Sequence, residues 1–216
     1  MQRREFLKIT AGALLASASS GVMFPHSALA QASDWVESWW GESLEEDVLP
    51  TEGIPVNAEK VAVYCPGKLR LKSSIHGGEY EFNFRDTKGN YDQQVLNSLN
   101  WFLRCKDGTW QYMDVRTIES LNYFSALLEV PLIQINSGYR SPSYNARLSL
   151  KNESVARNSL HQYGRAIDFF VPGIPVRQVC SHVLYARNTM GYGGVGYYPR
   201  AGFVHLDSGK RKQWVK

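Results

Sequence analysis

The stretch Asn158-Ser159-Leu160-His161-Gln162-Tyr163-Gly164-Arg165-Ala166-Ile167-Asp168-Phe169 decides how this chain is read. It begins in a polar loop, turns at Gly164 and enters an apolar run, residues 166–171, that reads as a strand. Period-two alternation puts Ala166, Asp168 and Phe170 on one face and Ile167, Phe169 and Val171 on the other. Both faces are otherwise apolar, so Asp168 is a carboxylate in a mostly dry strand. Such a charge has to be paired, hydrogen-bonded or bound to a cation. His161 lies seven positions earlier, across a glycine turn able to fold it back toward Asp168. An imidazole and a carboxylate that converge in this way form either one structural hydrogen bond or two ligands of a zinc site. The stretch by itself leaves both open.

Outward from it, the pattern alternates between strand and helix without a regular βαβ rhythm. Residues 61–64, 68–75 and 79–85 are short, alternating or β-branched, and separated by Pro66-Gly67 and Gly77-Gly78. Asp92 caps a helix reaching about residue 104, and Asp114 caps a second one with Ile118, Leu121, Phe124, Leu127 and Leu128 inward, ended by Pro131. Residues 132–136 read as a strand feeding the loop Ser137-Gly138-Tyr139-Arg140-Ser141-Pro142. A short helix near residues 144–150 precedes the opening stretch. A further amphipathic helix starts at Pro175 and runs to about residue 188. The glycine- and aromatic-rich segment 191–199 then leads to a last strand, residues 203–207. This order predicts an α+β fold with a largely antiparallel sheet and flanking helices.

The first thirty residues read as a targeting segment. Arg3-Arg4-Glu5-Phe6-Leu7-Lys8 is a twin-arginine pattern, residues 9–24 are apolar, and Ala28-Leu29-Ala30 supplies a small-x-small cleavage pattern. The apolar run is interrupted by Gly12, Gly21 and serines, which favours export with cleavage, and no stable membrane anchor afterwards, over a spanning anchor. The predicted destination is the periplasm, by a route that carries folded proteins. Residues 31–60, with Trp35, Trp39, Trp40 and the acidic run 42–47, read as an arm or linker, and residues 61–216 as a single domain. Arg3, Arg4 and Lys8 against Glu5 account for two of the four net positive charges, so the basic balance is partly the leader's. No basic cluster interleaved with aromatics appears, and nucleic acid is not an expected partner. Of the cysteines, Cys180 shares a helical stripe with Val176, Val179, Val183 and Leu184 and reads as a buried thiol. Cys65 and Cys105 are the pair left over if a disulfide forms.

Histidine usage narrows the site. His26 is in the leader, His76 sits beside two glycines in a hairpin turn, and His182 is mid-helix. His161 and His205 remain. In Phe203-Val204-His205-Leu206-Asp207, alternation puts Phe203, His205 and Asp207 on one face, so His205 projects from a strand as Asp168 does. Two histidines and one carboxylate leave a tetrahedral zinc with one open position, the arrangement of a catalytic centre.

The run Ser159-x-His161-x-x-Gly164-x-Ala166-x-Asp168, the earlier loop 137–142 and the later run 203–207 together resemble the zinc D-alanyl-D-alanine metallopeptidase superfamily. Lysostaphin-type enzymes and the hedgehog signalling domain share its metal site. The resemblance, from about residue 68 to the C-terminus, is closest to the YcbK-like exported murein endopeptidases, which also show Gly194-Val195-Gly196-Tyr197-Tyr198-Pro199. It implies a hedgehog/D,D-peptidase-like fold, one Zn2+ held by His161, Asp168 and His205, and Arg140 orienting the substrate or steadying its carbonyl oxygen. Asn145 and Ser159 fall among the groups that meet substrate or order the loops around it. The implied activity is hydrolysis of an amide bond in peptidoglycan stem peptides, as a D,D- or L,D-endopeptidase acting on cross-links. One departure stands out. Related enzymes carry a proton acceptor three or two residues before the last ligand, where this chain has Gly202 and Phe203. The nearest titratable group on that strand face is Asp207, either the general base or the partner that orients His205. The vacancy also keeps open a zinc-retaining, non-catalytic peptidoglycan-binding module.

Overall fold

The computed structural model describes Cys65 and residues 67–216. The leader, the arm and the strand expected at 61–64 lie outside the described residues. Seven strands form one sheet: β1 Gly67–Ser73, β2 Glu79–Arg85, β3 Ile133–Ser137, β4 Ala166–Phe170, β5 Gly194–Tyr198, β6 Phe203–Asp207 and β7 Lys212–Val215. Their spatial order is β2-β1-β3-β4-β6-β5-β7. Among the described residues four α-helices are interspersed: α1 Gln93–Phe102, α2 Val115–Leu127, α3 Pro142–Lys151 and α4 Val176–Met190. No helix among the described residues is long and apolar enough to cross a membrane.

The α+β class holds, and the largely antiparallel sheet is corrected to a mixed one. The pairs β1–β3 and β5–β7 are parallel, while β1–β2, β3–β4, β4–β6 and β5–β6 are antiparallel. The physical reason is connectivity. Two helices carry the chain from β2 over the sheet, so β3 arrives on the far side of β1 in the same direction. At the other end β7, which the sequence reading did not include, follows the β5–β6 hairpin and docks on β5's free edge.

Alternation along the strands builds two different faces. In β1, Leu69 and Leu71 point inward, while Lys68 and Arg70 point to solvent and pair with Glu81 at 3.0 Å and Glu79 at 2.5 Å. In β4 to β6, Ile167, Phe169, Val195, Val204 and Leu206 make the face buried under helices, with Phe124 of α2 against Phe169 at 5.4 Å between ring centroids. Asp168, His205, Asp207 and Gly196 lie on the opposite face. The helix layer thus supplies the apolar burial, and the polar side chains collect on the other side of the same strands.

The helices start where their caps place them. Asp92 accepts hydrogen bonds from the N–H groups of Gln94 and Val95, and Asp114 from that of Arg116. Ser141 caps α3, with Pro142 in its first turn. Cys65, Cys105 and Cys180 are buried thiols, and Cys65 and Cys105, the pair left over if a disulfide were to form, are not joined by one. Cys65 faces Arg85 and Asn122 and Cys105 faces Ser141, so each thiol is taken up by different neighbours.

Candidate metal centre

The turn carrying His161 is a short 3-10 helix, Leu160–Tyr163, closed by Gly164 in the left-handed region (φ 64°). That conformation suits glycine, and a methyl group there would stand 2.3 Å from the Tyr112 carbonyl oxygen. The same close approach lets the Gly164 carbonyl accept a hydrogen bond from the Asp114 N–H at 2.8 Å. The turn is therefore pinned to the start of α2, and it aims the His161 ring at the strand pair β4–β6. In that pair Asp168 stands directly opposite His205.

Three donor atoms meet. His161 Nε2 lies 3.2 Å from Asp168 Oδ1 and 3.2 Å from His205 Nδ1, and His205 Nδ1 lies 2.8 Å from Asp168 Oδ1. The three residues are buried. The remaining ring nitrogens fix the tautomers. His161 Nδ1 donates to the Gly138 carbonyl at 2.7 Å, and His205 Nε2 donates to Asp207 Oδ2 at 3.2 Å. His161 Nε2 and His205 Nδ1 are left to face each other and a carboxylate oxygen, an arrangement that calls for a shared cation, a proton or a metal ion, at its centre. An ion held tetrahedrally by nitrogen and oxygen donors sets neighbouring donors roughly 3.3 Å apart, close to the edges found here. The residues fit a metal ion.

The electrostatics agree. Burial pushes the His161 imidazole down to about 4, so the ring is neutral at pH 7. Burial disfavours ionisation of Asp168, but the charges around it and the hydrogen bonds with both histidines hold it well below the usual carboxylate range. At His205 burial opposes the imidazolium, yet Asp168 and Asp207 outweigh it and raise the pKa. The pocket draws a positive charge.

The other expected residues surround this core without joining it. Arg140 donates through Nη2 to Asp168 Oδ2 and through Nε to Ser137 Oγ at 2.7 Å, and its backbone N–H bonds the His161 carbonyl at 3.1 Å. Its guanidinium holds the Asp168 carboxylate in place. Asp207 receives the Gly194 and Gly209 N–H groups on Oδ1 at 2.9 and 2.7 Å and His205 on Oδ2. It therefore sits behind the His205 ring, on the nitrogen that points away from the converging donors. Asn145 is fully buried, and its amide bonds the Ala156 and Arg157 carbonyls at 3.0 Å each, tying down the loop that leads to His161. Ser159 precedes the 3-10 turn without a side-chain capping bond. Gly202 and Phe203 bring no titratable group, and Phe203 stacks on Tyr198 instead.

Sequence reasoning missed three contributors. The Gly138 carbonyl is main chain and carries no residue-type signal. Ser137 Oγ was read only as part of a loop. Trp214, whose ring centroid lies 5.2 Å from that of His205, belongs to the unread strand β7.

Comparison with known proteins bears on the same segment. The family model described as "Peptidoglycan L,D-endopeptidase MepK" (Peptidase_M15_2) matches residues 63–214. The peptidoglycan L,D-endopeptidase MepK of Escherichia coli (strain K12) is 36% identical over 176 residues, which cover 81% of this chain and 92% of that protein. The probable peptidoglycan L,D-endopeptidase MepK of Haemophilus influenzae is 44% identical over 177 residues, covering 81% and 90%. No solved structure matches the chain.

Proposed function

The chain belongs to the MepK family of peptidoglycan L,D-endopeptidases, and from that premise we propose a metal-dependent hydrolase that cuts an amide bond in the cross-links of peptidoglycan, with zinc as the ion and the L,D-bond as the target. The observation that carries the reading is the buried convergence of His161 Nε2, Asp168 Oδ1 and His205 Nδ1, each steadied from behind by a hydrogen-bond partner.

His161, Asp168 and His205 would hold the ion, which when bound would supply Lewis-acid chemistry, lowering the pKa of the attacking water and polarising the scissile carbonyl. The chain's own groups fix where that happens. Gly138 and Asp207 lock the tautomers of the two histidines, which keeps the metal-facing nitrogens bare. Arg140 occupies the second oxygen of Asp168 and so leaves Oδ1 as the single ligand atom. Asp207 is a positioning residue in this reading rather than the proton acceptor. In the net reaction water adds to the carbonyl carbon, the C–N bond breaks, and the proton released goes to the leaving amine. The products are a carboxylate and an ammonium group. The place of action that suits this substrate is the periplasm, in line with the twin-arginine leader read in the sequence.

The test is digestion of purified sacculi with zinc-loaded protein and with His161→Ala, followed by mass analysis of the released muropeptides. Loss of L,D-cross-linked dimers with the intact protein, and not with the variant, is the expected result. Unchanged dimers with fully metallated protein would sink the enzyme reading, and selective loss of D,D-linked dimers would replace the bond specificity.

A further inference from the structure

Arg140 spends two of its five N–H donors on Asp168 and Ser137, and it is not the sole donor near the metal-binding residues. A second group stands on the same sheet face. Gly196 of β5 is paired with His205 on one side and with Trp214 on the other, so 205, 196 and 214 form a row across three strands. A methyl group at Gly196 would come within 2.6 to 2.8 Å of Trp214 ring atoms, Nε1 among them. The indole therefore lies directly over the glycine and reaches the His205 ring. Only a residue without a side chain lets it do so.

The indole N–H, a donor only, bonds the Tyr198 hydroxyl oxygen at 3.0 Å. Because Nε1 sits above Gly196, that bond places the Tyr198 oxygen back toward the row containing His205, not out along its own strand. The Tyr198 ring is held from the other side by Phe203, stacked at 4.4 Å between centroids and 14° between planes. Since the hydroxyl oxygen already accepts from Trp214, its own proton is free to be given elsewhere. Burial first, and the charge of Asp168 as well, push the Tyr198 pKa up against the opposing effects of Trp214 and Arg140, so the group keeps that proton at neutral pH.

Resting on the hydrolase reading above, we propose that Tyr198 is a catalytic hydrogen-bond donor to the scissile carbonyl oxygen, aimed by Trp214 and braced by Phe203. As water attacks the amide, that oxygen gains negative charge, and a fixed donor stabilises it more than it stabilises the ground state. Tyr198 forms no covalent bond and gives up no proton; it strengthens one hydrogen bond in the transition state.

The experiment measures Tyr198→Phe and Trp214→Phe against the unaltered protein in zinc content, in kcat and KM on a purified cross-linked muropeptide, and in affinity for a phosphinate analogue of the cleaved dipeptide. The charged phosphinate oxygens stand in for the developing oxyanion, so this arm does not depend on turnover. Tyr198→Phe is expected to keep its zinc and its KM, lose roughly 10²-fold in kcat and weaken phosphinate binding by a similar factor. Trp214→Phe, which removes the aiming bond together with part of the ring that packs over Gly196 and against His205, is expected to lose less, again in kcat. If Tyr198→Phe stays within twofold of the parent in kcat and phosphinate affinity, or changes only KM or zinc content, the proposal is wrong. An unchanged Trp214→Phe overturns the aiming role. Absence of cleavage by the zinc-loaded parent overturns the hydrolase reading and this proposal together.

Discussion

Asp207 presents both oxygens to donors, two main-chain N–H groups on one and His205 on the other, and is almost fully buried. A carboxylate so engaged, and lying behind the imidazole, is suited to orienting His205. Replacing it with Asn removes the charge that favours the Nε2–H tautomer. The expected outcome for Asp207→Asn is a 10- to 100-fold loss of zinc affinity, measured by competition with a chelator. Unchanged affinity with abolished turnover would instead make Asp207 the proton acceptor. The sequence could place Asp207 on the His205 face by alternation, but not decide between those duties. The choice turns on Gly194 at the start of β5 and Gly209 after β6, whose N–H groups both reach Asp207. Asp168 was more legible, because a charge in an apolar strand has few ways to exist. Asn145 was less so. A polar residue in a short helix gives no sign that it faces inward to clasp a loop.

At the scale of elements, the 3-10 turn with Gly164 is the device that couples α2 to the His161–Asp168–His205 cluster. Gly164→Ala forces an L-residue into a left-handed conformation, costing about 1–2 kcal/mol, and drives its methyl group into the Tyr112 carbonyl. The variant is expected to melt earlier than the parent by calorimetry and to hold zinc more weakly, because His161 moves with the turn. Wild-type zinc affinity in a folded Gly164→Ala protein would show that the turn does not position His161. Strand positions were readable where alternation was clear. Glu79–Arg85 and Phe203–Asp207 fall where the pattern put them. Lys212–Val215 escaped because it is four residues long, with charges on either side, and finds its place only through pairing with β5.

Across the whole molecule, the sheet separates stability from chemistry. Helices cover one face and the proposed metal-binding residues Asp168 and His205 lie on the other, while the β2 edge is fastened by a buried ion pair, Arg85 Nε to Glu119 Oε1 at 2.7 Å, to which the Tyr91 hydroxyl adds a bond at 3.0 Å. Arg85→Met leaves Glu119 with a buried charge and is expected to lower the unfolding free energy by about 3–5 kcal/mol in a denaturant titration. Zinc affinity per folded molecule should not change, since β1 and β3 intervene between that edge and β4. A loss below about 1 kcal/mol would mean the pair is not a structural anchor. The α+β class followed from the irregular order of elements. The two parallel pairings did not, because direction within a sheet is set by how connections cross it, and no local pattern records that.

The most direct test of the metal centre is a crystal structure of zinc-soaked protein with anomalous diffraction collected at the zinc edge. The account predicts one peak per chain, about 2.0–2.2 Å from each of His161 Nε2, Asp168 Oδ1 and His205 Nδ1, with Asp207 bonded to His205 Nε2 behind it. A peak elsewhere, or one that recruits Asp207 in place of any of the three, would contradict it.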